Sequence, residues 1–140
     1  MPIIVVARLR LRDSSVLDEF FTHSVAVLEQ AQKSEGNLGA NALSQGDDVW
    51  WDVTAWQGRE QIEAFKDTEP HLSTIGLVDH LCSEASFVDW EQDSAELPDW
   101  QTCWRRLVAD GRSAPLTKAS DANETRAFPA PPVEPPASKT

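Results

Sequence analysis

The chain has 140 residues, 41% of them hydrophobic and 25% charged, with a formal net charge of -11. That length suits one domain with a modest core. Residues 1–110 hold 20 of the 23 acidic side chains, and so acidic a surface excludes phosphate backbones and anionic lipid as natural partners. Two cysteines, Cys82 and Cys103, are too few for a disulfide framework, and the absence of tyrosine rules out a tyrosyl acid, ligand or radical.

Residues 2–11 read PIIVVARLRL, with Ile3, Val5, Ala7, Leu9 and Leu11 on one face and Ile4 and Val6 opening the other before Arg8 and Arg10. This spacing predicts a strand buried on both sides at one end. No basic leader precedes it, and no apolar run nears the roughly 20 residues of a membrane span. The expectation is a cytoplasmic protein that does not enter membranes.

Asp13-Ser14-Ser15 offers helix caps, and Leu17, Phe20, Phe21, Ser24, Val27, Leu28 and Ala31 recur at helical spacing until Gly36. Leu38–Ser44 and Val49–Trp56 form two strands around the polar turn Gln45-Gly46-Asp47-Asp48. A second helix runs from near Gly58 to Lys66, and Pro70 starts a further one carrying Leu72, Ile75 and Val78. Ala85–Trp90 is the fourth strand. The order β-α-β-β-α-β is the ferredoxin-like arrangement, an α+β antiparallel sheet with its helices on one face.

Pro98 opens a last helix, with Trp100, Cys103, Trp104, Leu107 and Val108 as an amphipathic stripe ending at Gly111. The predicted organisation is therefore a domain over 1–95, a packed C-terminal helix over 96–112, and an unstructured Pro/Ala-rich tail over 113–140. Within the tail, 128–136 favours polyproline conformation, and Phe128 is the one large apolar side chain able to dock it. Helices on one face leave the other bare, so the sheet is expected to pair with a second copy as a homodimer.

The stretch DVTAWQGREQIEAFKDTEPHL, with this element order, resembles the antibiotic-biosynthesis-monooxygenase-like superfamily of dimeric α+β barrels over residues 1–95. Trp56, Ala64, Pro70 and His71 fit the pattern, while Lys66 stands where a histidine is common. The resemblance implies a barrel with a central pocket. It leaves the activity open among cofactor-free oxygenases, haem proteins, isomerases and members without activity.

No phosphate loop, zinc-ligand spacing or nucleophile elbow occurs, so no metal or nucleotide cofactor is expected. Strand three alternates Trp50, Asp52, Thr54 and Trp56 against Val49, Trp51, Val53 and Ala55. Asp52 either pairs with Arg8 or Arg10 or lines an aromatic cavity as a base. His71, matching the resemblance's pocket histidine, is a second candidate base or an iron ligand. His23 reads as a surface residue and His80 as a helix-end donor. Asn41, mid-strand, is a candidate hydrogen-bond donor to a developing anion, and Trp50, Trp56 and Phe65 are candidate walls for a flat ligand. The leading expectation is a cofactor-independent monooxygenase acting on an electron-rich aromatic molecule, with His71, Asp52 and Asn41 catalytic. The alternatives are a haem-binding protein with His71 as axial ligand, and a non-catalytic module that binds a small ligand.

Overall fold

The computed structural model describes residues 1–131. Strand β1 (Ile3–Leu11) leads through a 3-10 turn capped by Asp13 into helix α1 (Leu17–Lys33). Strands β2 (Asn37–Gln45) and β3 (Val49–Trp56) form a hairpin whose turn holds Gly46 at φ 63, a left-handed conformation that glycine adopts without a Cβ clash. Helices α2 (Arg59–Lys66), α3 (His71–Ile75) and α4 (Val78–Leu81) precede β4 (Cys82–Glu91). The sequence pointed to one further helix after Pro70. Two short ones form instead, divided at Gly76 and Leu77.

The sheet is antiparallel, in the order β2-β3-β1-β4-β5, where β5 is the two-residue strand Arg112–Ser113. The split β-α-β-β-α-β arrangement is thus present. Its inner face packs Phe20 and Ala31 of α1, Ile62 of α2, and Val78 and Leu81 of α4 against Ile3, Leu11, Trp50 and Trp56. Its outer face buries Ile4, Val6, Trp51, Val53, Ala55 and Val88.

What covers that outer face differs from expectation. Helix α5 (Trp100–Asp110) lays Cys103 and Leu107 across it, and Phe128 from the C-terminal segment completes the cluster. The segment from 113 to 131 is therefore built into the fold, with a short helix α6 (Asp121–Thr125) along the way. Buried Asn123 accepts from the Ala85 N–H at 2.8 Å and donates to the Ala114 carbonyl at 2.9 Å. Trp104 Nε1 donates to the Phe128 carbonyl at 3.0 Å, and Gln101 donates to the Pro131 carbonyl at 2.9 Å. A Pro/Ala-rich composition without periodicity hid this, because a few anchors hold the segment rather than a repeating face. The part of the expected tail beyond 131, including most of the polyproline run, lies outside the described residues.

The same face carries an ion-pair cluster. Arg8 Nη1 lies 2.5 Å and Arg10 Nη1 3.1 Å from the Glu84 carboxylate, which also accepts from Ser120 Oγ at 2.8 Å. Burial alone would raise the Glu84 pKa, but hydrogen bonds from Arg8 and Ser120 and the Arg8 charge hold it below the usual value. The Arg8 guanidinium also sits 4.0 Å from the Phe128 ring centroid. The homodimer was expected because this face looked bare. Among the described residues it is covered in cis by α5 and Phe128.

Candidate active site

Between the inner face and the helices lies a cavity of about 350 Å3, within the range of small-molecule sites. Strand register builds its floor in rows. Thr54, Val5 and Asp89 stand side by side across β3, β1 and β4, and the next row is Asp52, Ala7 and Phe87. Ala7, the small side chain between a carboxylate and an aromatic ring, leaves the hollow. Ser24 and Leu28 of α1, Ile62 and Phe65 of α2, and His71 and Thr74 of α3 close it from above.

Asp52 faces this cavity, not the arginines. Period-two alternation puts it with Trp50, Thr54 and Trp56 on the inner face, while Arg8 and Arg10 point outward to Glu84. Its Oδ2 accepts a hydrogen bond from Trp50 Nε1 at 3.0 Å. Desolvation by the apolar wall dominates that bond and pushes the carboxyl pKa from 3.8 up to about 6. Thr54 Oγ1 accepts from Trp56 Nε1 at 2.8 Å, so its own hydroxyl proton is free to donate to a ligand.

His71 also lines the cavity. Its ring lies 4.7 Å from Phe65, which in turn lies 5.0 Å from Trp56, giving a continuous aromatic wall. His71 Nδ1 is 3.3 Å from the Lys66 carbonyl; as donor there, it leaves the Nε2 lone pair unengaged. Burial lowers the His71 pKa, against a smaller opposite effect of that carbonyl, and so favours neutral imidazole near pH 7.

The structure therefore brings together Asp52, His71, Trp50, Trp56 and Phe65, all expected from sequence. It separates Asn41 from them. Asn41 pairs in register with Val53 of the outer face, is exposed, and accepts from its neighbour's Ala42 N–H. The hydroxyl on the cavity floor is Thr54, which alternates with Asp52 along β3. His23 is half-buried beside Thr74, not on the open surface, and His80 sits in the last turn of α4, as expected, with its Nε2 3.3 Å from Glu19. Arg59, Asp89 and Arg112 also line the cavity. Arg112 sits on a strand too short to leave any periodic signal.

No family model matches this sequence, and no curated protein matches it. Solved structures do match its shape. The fold is that of the antibiotic-biosynthesis-monooxygenase-like proteins. One neighbour is an antibiotic biosynthesis monooxygenase, 12% identical at a TM-score of 0.57, spanning 66% of this chain and 99% of that one. SnoaB, a cofactor-independent oxygenase from Streptomyces nogalater, is 10% identical at 0.55, spanning 66% of this chain and 94% of its own. A Mycobacterium tuberculosis protein is 14% identical at 0.61, spanning 69% of this chain and all of that one. Identities this low establish the shared fold alone and leave the chemistry to the site.

Among the described residues no helix is long and apolar enough to cross a membrane, and no group of three His, Cys, Asp or Glu side chains could hold a metal ion. Haem does not suit the cavity. His71 Nε2 offers a ligand, but about 350 Å3 is at the small end for ligand pockets, short of a tetrapyrrole with its propionates. The acid on the floor also faces the space a macrocycle would fill.

Proposed function

We propose that this protein is a cofactor-independent monooxygenase-like enzyme that oxidises a small electron-rich aromatic molecule. The observation that supports this most directly is Asp52: a carboxylate on an apolar, aromatic cavity floor, its pKa raised to about 6. A base poised near the working pH combines a useful ionised fraction with good proton affinity. Asp52 takes the proton from an acidic C–H or O–H of a ring flanked by Trp50, Trp56 and Phe65. The Thr54 hydroxyl donates to the oxygen on which negative charge accumulates, and the dry wall strengthens that bond.

The resulting anion passes one electron to dioxygen. The substrate radical and superoxide then join in a new C–O bond, and the hydroperoxide loses water to leave a carbonyl. In sum, a ring CH2 and one O2 give C=O and one H2O, with dioxygen as the only oxidant. Neutral His71 lies on the roof as the second group able to carry a proton, toward the departing water. The proposal includes a cytoplasmic setting for a diffusible substrate.

Oxygen uptake with anthrone, an aromatic ketone bearing an acidic CH2, tests this. Wild-type protein should consume one O2 per carbonyl formed, and Asp52→Asn should lose at least about 100-fold in turnover, the low end for a general base. An Asp52→Asn protein that retains full turnover rules out Asp52 as the base.

A further inference from the structure

The cavity has an electrostatic direction. Asp52 stands on the β3 side, and at the opposite, β4–β5 edge Asp89 is held between two arginines. Arg59 Nη2 lies 3.2 Å from Asp89 Oδ1, and Arg112 Nη2 lies 3.6 Å from Asp89 Oδ2. One carboxylate thus faces two guanidinium groups. Each carries five N–H donors; Arg59 spends one in a hydrogen bond to Asp89, whereas Arg112 makes only the longer ion pair, which leaves a net positive charge and several open donors at the cavity rim. In a chain of net charge -11 with 12 lysines and arginines, three of the cations, Arg59, Lys66 and Arg112, line this one cavity. Of these, Lys66 is 3.7 Å from Glu63.

Distance along the floor gives the scale. Asp89 is two strands and one row away from Asp52, so their Cα atoms lie about 12 Å apart, from strand spacing and rise. The side chains reach inward from both ends, and the gap between them suits two fused rings lying over Ala7. A ligand anion placed at the β3 end would repel the Asp52 carboxylate, which already lacks water. At the β4–β5 end it meets open guanidinium donors in the planar arrangement that suits a carboxylate.

We propose that Arg59 and Arg112 form an anion-recognising subsite, and that the ligand is a fused-ring aromatic carboxylic acid. Its carboxylate lies on the arginines and its reacting edge on Asp52. The subsite rests on the cavity being the ligand site of the proposed oxygenase, and it adds the substrate's chemical class and its orientation. Both arginines are more than half exposed, so replacing them removes no core contact.

Two probes differing only in the acid decide the question: 6-hydroxy-2-naphthoate and 2-naphthol, titrated at pH 7.5 against the fluorescence of cavity-lining Trp50 and Trp56, with calorimetry as a second readout. The carboxylate should bind at least about tenfold tighter, a factor worth about 1.4 kcal/mol. In the Arg59→Gln/Arg112→Gln double variant the preference should shrink to within about twofold, and Arg59→Lys/Arg112→Lys should restore part of it. In the unmutated protein the preference should also fall between low salt and 0.5 M salt, since exposed charges are screened. Equal affinity for both probes, or a preference that survives both the glutamines and the salt, overturns the subsite while naphthol binding leaves the cavity standing. Failure of both probes to bind overturns the cavity as an aromatic site, and the subsite with it.

Discussion

Replacing Asp52 with asparagine should make this protein more stable above pH 6 and leave it nearly unchanged at pH 4. Burial raises the Asp52 pKa from 3.8 to about 6, so the folded state holds this proton more tightly than the unfolded chain does. Between about pH 4 and 6 the native protein binds more protons at this site, and stability falls as pH rises through that window. At 1.36 kcal/mol per pKa unit the full deficit is on the order of 3 kcal/mol, reached above pH 6. Asparagine has nearly the same shape, can still accept from Trp50 Nε1, and does not titrate. Asp13, Asp79 and Asp99, whose pKa values are held below normal by hydrogen bonds, act oppositely and at lower pH, and they cancel in the difference between variant and parent. Thermal unfolding followed by far-ultraviolet circular dichroism from pH 4 to 8 should show the Asp52→Asn midpoint higher by about 6–12 °C at pH 7.5, converging near pH 4. Parallel profiles across the range would refute a buried, proton-hungry carboxyl at this position.

Phe128→Ala should cost about 3 kcal/mol, the low end for a buried phenylalanine, read as a drop in urea midpoint at unchanged m-value; an unchanged midpoint would free the tail. A chain ended at Gly111 should form larger assemblies in light scattering than the full chain does at the same concentration, because Trp51, Val6 and Val88 lose part of their cover; the same number of copies per particle for both would show that the segment does not shield this face. His71→Ala should keep its far-ultraviolet spectrum and lose less turnover than Asp52→Asn, with losses that multiply in the double variant; equal, non-multiplying losses would indicate one shared proton relay. Cys82 and Cys103, both buried with thiol pKa values pushed up to about 12, should resist a thiol-disulfide reagent until the protein unfolds.

The inner half of the fold was legible because periodicity writes it twice. Ile3, Val5, Ala7, Leu9 and Leu11 share one face of β1, and the α1 stripe repeats at helical spacing, so strand and helix faces could be matched without coordinates. The same alternation put Asp52 on one face with Trp50 and Trp56, which led directly to the cavity. Asn41 failed for a reason the alternation also contains. A strand residue's face depends on register, and pairing with Val53 turns Asn41 outward. Register across a hairpin is set by turn geometry, and a single sequence shows the turn only as a polar cluster.

The outer face shows the complementary limit. Its apolar residues announced that something must cover them, and the sequence of a ferredoxin-like sheet pointed to a second copy. The cover is local in sequence to no one pattern: α5 is amphipathic and was recognised, but Asn123 and Phe128 are single anchors in an aperiodic stretch. Their effect reaches the cavity. Asn123 ties Ala85 and Ala114 together across the pair in which Arg112 stands opposite Phe87. The segment that shields the outer face thus also sets the second arginine at the cavity rim. Outer cover and rim charge stand or fall together if the segment detaches, whereas a change at Arg112 alone leaves the cover intact. Closure of the sheet in cis is therefore a condition for the proposed anion subsite, since without β5 the β4 edge of the cavity would present Asp89 with one cation instead of two.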